Sequence, residues 1–176
     1  MSRSLDIGIP SCAGATGILK LKKYASYEDI TFDFDSYKHH PRFDAVSLVD
    51  CVHLKRLTLL ACEVTNLNGI EFCSGIEHIY FNAVDLRRTD LSVLGQLPNL
   101  VHLSLRYVEL PTDARINHIE SLRRLELRAI KGPPVMEMIN GMRLTHLSLS
   151  RCNVRSLRGL CVDDLIALNA SHNHIR

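Results

Sequence analysis

The side chains best equipped for chemistry in this chain are its nine histidines and six cysteines. His78, His102 and His146 recur at intervals of 24 and 44 residues. Imidazoles brought together can bind a metal or pass a proton. A site with two such ligands and no accompanying carboxylate is a poor one, and no C-x-x-C spacing supplies a zinc cage. No Ser/His/Asp, Cys/His or paired-carboxylate arrangement stands out, so the residues present no catalytic machinery. Interleaved with the histidines are Arg56, Tyr80, Arg106, Tyr107, Arg124 and Arg128. Guanidinium and phenol groups pair with anions and dominate interface energies, which is the chemistry of recognition.

What positions these residues is a repeated pattern, clearest at Leu144-Thr145-His146-Leu147-Ser148-Leu149-Ser150-Arg151-Cys152-Asn153-Val154. Apolar residues at places one, four and six alternate with polar ones, as on a strand with one buried face. Copies begin at Leu54, Ile76, Leu100, Leu122, Leu144 and Leu165, spaced 22, 24, 22, 22 and 21 residues apart, with a degenerate copy at Tyr27. Such a period signals a stacked solenoid, in which no single copy can bury its own apolar face.

From about Tyr27 to the C-terminus the pattern resembles L-x-x-L-x-L-x-x-N/C-x-L of the leucine-rich repeat family. The short period and the run Cys152-x-Val154-x-x-Leu157-x-x-Leu160 are similar to its short intracellular subclass, found in phosphatase regulators, splicing proteins and axonemal proteins. The resemblance implies an α/β solenoid: a curved parallel sheet on the concave side, with short helical, 3-10 or extended segments on the convex side. The bend Asn of the family stands only at Asn173. Cys62 and Cys152 are accepted substitutes, whereas Val84, Val108 and Ile130 are apolar, so irregular bends are expected there.

One domain is expected over 1–176, with about seven repeats in 27–176 and a cap or degenerate repeat in 1–26. Ile7 to Cys12 reads as a degenerate first strand and bend, Cys12 falling 23 residues before Asp35. Ile18 to Lys23 alternates like an edge strand guarded by lysines. Gly14 to Lys20 lacks the Gly-Lys-Ser/Thr ending of a phosphate loop. On the convex side, single helical turns are expected at Ala114–Ile119, Leu91–Leu94 and Val135–Ile139, and an extended or 3-10 path after Cys62. The last core layer is expected to lack a polar cap of its own, so that further chain or a partner covers it.

A net charge of +2 argues against a polyanion-coating tail. No apolar run reaches the ~18 residues of a membrane span, and residues 1–20 lack the pattern of a secretory signal. Cys51 and Cys73 should stack in neighbouring copies. The cysteines read as reduced structural thiols of an intracellular, cytoplasmic protein, with the nucleus or the cytoskeleton and axoneme as alternatives. Asn169-Ala170-Ser171 matches a glycosylation sequon, read as chance in a cytosolic strand.

Places three, five and seven face away from the core. Across the copies this face gathers Arg56, His78, Tyr80, His102, Arg106, Arg124, Arg128 and His146, with Tyr107 at its rim, and Glu126 as the one acid between Leu54 and Cys152. The earliest copy contributes Asp29 and Asp33, so the face should run from acidic to basic. These residues are expected to bind another protein, through an acidic segment, as a non-catalytic module of a larger complex. RNA binding and a regulatory role toward a phosphatase are the alternatives. No cofactor, membrane or small-molecule substrate is expected.

Overall fold

The computed structural model describes residues 3–8, 25–34 and 42–176. In chain order the strands are β1 (Ser4–Gly8), β2 (Asp29–Asp33), β3 (Arg42–Asp44), β4 (Arg56–Leu60), β5 (Glu63–Asn66), β6 (His78–Asn82), β7 (His102–Arg106), β8 (Arg124–Arg128), β9 (His146–Ser150) and β10 (Ala167–Asn169). Eight of them form one parallel sheet in the order β1-β2-β4-β6-β7-β8-β9-β10, and β3 pairs with β5 in a second, two-stranded sheet. The architecture is a parallel β-solenoid.

Strands β2, β4 and β6 to β9 each span places three to seven of their copy. One row of paired residues therefore runs Asp29, Arg56, His78, His102, Arg124, His146, Ala167 across the sheet. Because side chains alternate along a strand, places four and six must then face inward. They do: Leu57, Leu59, Ile79, Phe81, Leu103, Leu105, Leu125, Leu127, Leu147 and Leu149 are all buried. The first-place residues Leu54, Ile76, Leu100, Leu122 and Leu144 are buried behind them.

β1 corrects the N-terminal register. Ile7 pairs with Phe32, a separation of 25 residues rather than 23. Phe32, Phe34 and Phe43 close the core there, with the Phe32 and Phe43 ring centroids 5.1 Å apart. The expected bend at Cys12, the edge strand at Ile18 to Lys23 and the Gly14 to Lys20 segment lie outside the described residues.

The bends also depart from expectation. Val84, Val108 and Ile130 do not make them irregular. The residue before each ninth place, namely Ala61, Ala83, Tyr107, Ala129, Arg151 and His172, takes a left-handed backbone with φ between 50° and 58°. The amide of that residue then donates to the next copy, as from Ala83 N to Arg106 O at 2.9 Å and from Tyr107 N to Arg128 O at 2.8 Å. A second backbone ladder follows through Glu63, Asp85, Glu109 and Lys131. Asp85 N donates to Cys62 O and Lys131 N to Val108 O, so main-chain groups replace the absent asparagine side chains. Along this flank the charges pair with one another: Arg42 with Glu63, Arg87 with Asp85 and Glu109, Lys131 with Glu109.

The convex segments are short. A helical turn α1 (Val135–Met138) follows Pro133-Pro134 as expected. A 3-10 turn over Ser92–Gln96 begins one residue later than expected, with Asp90 Oδ1 accepting from Ser92 N at 2.8 Å. After Cys62 the chain is extended in β5 and then 3-10 at Ile70–Phe72. Ala114 to Ile119 is not helical. Ala114 N donates to Pro111 O and Ile119 N to Ile116 O, closing separate turns that tuck Ala114, Ile116 and Ile119 into the core.

Cys51 and Cys73 stack in neighbouring copies and are buried, and the Cys73 thiol donates to Leu48 O at 3.3 Å. Burial pushes the Cys62 and Cys73 thiols up to about 12 and Cys51 up to about 11, so all three stay protonated and unreactive. Among the described residues no helix is long and apolar enough to cross a membrane.

Candidate partner-binding face

The register puts every residue expected at the site on one face of the sheet or its rim, with seven of the nine in three groups. In the centre, His78, Tyr80 and His102 pack ring against ring. The His78 and His102 centroids are 5.8 Å apart, edge to face, and Tyr80 and His102 are 5.0 Å apart. The Tyr80 hydroxyl lies 3.1 Å from His102 Nδ1. His102 Nε2 lies 3.8 Å from Glu126 Oε1, and Glu126 Oε2 accepts from Arg106 Nη2 at 2.6 Å. Ser104, buried beneath this cluster, donates its hydroxyl to the same Glu126 oxygen at 3.3 Å. Glu126, the one acid of this face between Leu54 and Cys152, is therefore the hub of the central network.

The second group lies toward the N-terminal strands, where Arg56 Nη1 pairs with Asp29 Oδ1 at 3.2 Å. The third is at the strand ends of β7 and β8, where the Arg128 Cζ lies 5.4 Å from the Tyr107 ring centroid. His146 stands apart from the other two histidines. Arg124 separates it from His102 in the row, and its Nδ1 lies 3.0 Å from the Thr145 hydroxyl. Among the described residues no group of three or more His, Cys, Asp or Glu could hold a metal ion.

The charge of the face is smaller than a count of its arginines suggests, because Arg56 and Arg106 are matched by Asp29 and Glu126. Among the described residues Arg124, Arg128 and Arg151 take part in no ion pair. All three lie on or beside β8 and β9. A shallow hollow of about 390 Å³ covers β7 to β10, lined by His102, Arg124, Glu126, His146, Ser148 and Asn169. The rows that bring Glu126 near Arg106 and Asp29 beside Arg56 follow from the alignment of the strands. The pairing of those charges, the coverage of Ser104 and the ring stacking do not, since side-chain reach and packing decide them.

Burial holds both central imidazoles below their ordinary value, with Arg56 adding to the effect at His78 and Glu126 partly opposing it at His102. Burial alone would raise Glu126, but the Arg106 hydrogen bond and charge bring it below the usual carboxylate value. The sign follows from proton uptake. A histidine with a lowered folded pKa binds its proton first in the unfolded chain, so stability falls as pH drops below about 6.5. Urea midpoints should therefore be lower at about pH 5.5 than at about pH 7.5, and His78→Gln with His102→Gln should narrow the difference. Equal midpoints in the parent protein would contradict this burial.

No family model matches the sequence, and the search of curated proteins returns no match. Among solved structures, the chain is similar to an internalin from Listeria monocytogenes, with 12% identity, a TM-score of 0.42 and coverage of 89% of this chain. It spans 64% of the internalin chain.

Proposed function

We infer that this chain is a non-catalytic binding module of the leucine-rich repeat kind, whose concave sheet face holds an acidic, extended segment of another protein. The observation that carries the reading is the contrast between flank and face. Charges along the Glu63 to Lys131 flank neutralise one another, whereas among the described residues Arg124, Arg128 and Arg151 on the concave side stand without an acid partner. They stand beside Tyr107 and the His78–Tyr80–His102 cluster, on strands held rigid by backbone ladders. Unneutralised arginines next to aromatic rings form interface centres. In this reading residues 1–176 act as one domain, inside the cell, as a subunit of a larger complex.

RNA is the less favoured occupant. A phosphodiester chain carries its charges in a line, and a line across this sheet would meet Glu126 in the middle and Asp29 and Asp33 at β2. The test is capture from an extract of the source cell by immobilised chain. Arg124→Glu with Arg128→Glu should reduce capture of the partner at least about 100-fold, as loss of two charged contacts implies. Arg106 is left intact because reversing it would set two carboxylates together at Glu126. The melting temperature should stay within a few degrees, since Arg124 is exposed and half-buried Arg128 makes no hydrogen bond or ion pair among the described residues for the change to break. Undiminished capture would overturn the reading.

A further inference from the structure

We propose that the notch framed by Tyr107, Arg128 and Arg151 takes a phosphate monoester carried on a side chain of the bound protein segment. The proposal rests on the concave-face reading and specifies the chemistry of what is held there. Arg128 is half-buried. Its Nε is shielded from water and lacks a hydrogen-bond partner, and the Tyr107 ring lies against the guanidinium. A guanidinium stacked on a ring keeps its fork in one orientation, so less freedom is lost when it grips an anion. Among the described residues neither Nη atom meets an acceptor, and neither is buried.

The backbone sets the spacing of the neighbours. Arg128 pairs in register with Ser150 on β9, and Arg151 follows Ser150 directly. Tyr107, Ala129 and Arg151 are the equivalent bend residues of three successive strands, all left-handed at φ 55°, 50° and 54°. At ~4.8 Å per strand the first and last stand about 10 Å apart, with only the methyl group of Ala129 between them. Earlier bends use Ala61 and Ala83 at this place. Side chains as large as Tyr107 and Arg151 stand here on a backbone that disfavours them, which makes the position a candidate for function.

Charge selects the ligand. Arg106 is already matched by Glu126, so the notch keeps two charges that are unmatched among the described residues, Arg128 and Arg151. A carboxylate supplies one negative charge and a phosphodiester one, whereas a phosphate monoester supplies nearly two. Its three terminal oxygens can also accept from a guanidinium fork and a second arginine together.

The test follows the arginine Nε–H signals of the full ¹⁵N-labelled chain by NMR. Arg128→Lys removes one signal and so assigns it. Phenyl phosphate should shift the Arg128 signal saturably, while benzoate should bind about tenfold more weakly, the equivalent of one charge-assisted hydrogen bond. Arg128→Lys keeps the charge but loses the fork, and Arg151→Gln loses the second charge. Each should weaken phenyl phosphate about tenfold by the same reasoning, read from the remaining arginine signals. An unmoved Arg128 signal, benzoate binding as tightly, or an oligouridylate binding more tightly would each overturn the proposal. If charge reversal abolishes capture from extract while phenyl phosphate leaves Arg128 unmoved, the protein-binding reading stands and the phosphate falls. If phenyl phosphate binds but capture survives the reversal, both the concave-face reading and the phosphorylated segment as occupant fall.

Discussion

Leu125→Ala is expected to destabilise the protein by about 2–5 kcal/mol, the cost of a core leucine truncated where the walls cannot close in. Leu125 is 1% exposed at place four of β8, between Leu103 and Leu147 in the paired rows. Each neighbour is fixed by its own strand ladder, so a missing side chain leaves a cavity rather than a collapsed core. Leu168 holds the same place in β10 but is 43% exposed. Leu168→Ala should therefore cost only about 1 kcal/mol, because the leucine is already largely open to water and leaves no enclosed cavity. Urea unfolding of both variants checks the pair. A single domain has roughly 5–15 kcal/mol of stability, so the Leu125 loss would be plain in the midpoint. Equal costs at the two positions would contradict the register on which the whole face depends.

That register was legible because two physical signals agree. Apolar residues two apart inside each copy specify a half-buried strand, and a fixed period specifies that strands stack. A one-residue slip would turn Leu125 and Leu127 outward and Arg124, Glu126 and Arg128 inward. The bends were less legible. Their shared feature is a left-handed backbone at Ala61, Ala83, Tyr107, Ala129, Arg151 and His172, and these residues have no side-chain chemistry in common. Val84, Val108 and Ile130 looked like defects only because the repair lies in main-chain groups of the next copy. The helical turn expected at Ala114–Ile119 does not form. Pro111 O instead accepts from Ala114 N and closes a turn, whereas Pro133-Pro134 does precede a helical turn. On the face itself, the identities and rows of the arginines were readable. Which of them are neutralised was not, since Arg106 finds Glu126 by side-chain reach across strands.

The one bend that keeps its asparagine gives the second large effect. Asn173 Oδ1 accepts from Cys152 N at 3.0 Å and from Val154 N at 3.1 Å, two amides of the preceding copy. Its Nδ2 donates to Leu149 O, to Ala170 O at 2.9 Å and to Ser171 O at 3.2 Å. Earlier bends leave this work to backbone groups of the following copy, as at Cys62, where Asp85 N donates to Cys62 O and Asp85 O accepts from Val64 N. Here one side chain performs it. Asn173→Ala removes the acceptor from two partly buried amides and should cost about 2 kcal/mol at that bend. Because copies interact mainly with their neighbours, the loss should stay local: the turn carrying β10 opens while β4 to β8 hold. Hydrogen exchange at the Cys152 and Val154 amides should accelerate about 30-fold, the equivalent of that free energy, with Leu103 and Leu125 unchanged. Asn173→Asp should be worse than Ala. It keeps the acceptor but sets a carboxylate where three carbonyl oxygens await donors. If Asp protected the amides as well as Asn does, the Nδ2 bonds would contribute nothing and the bend would be held by its backbone alone, like the others.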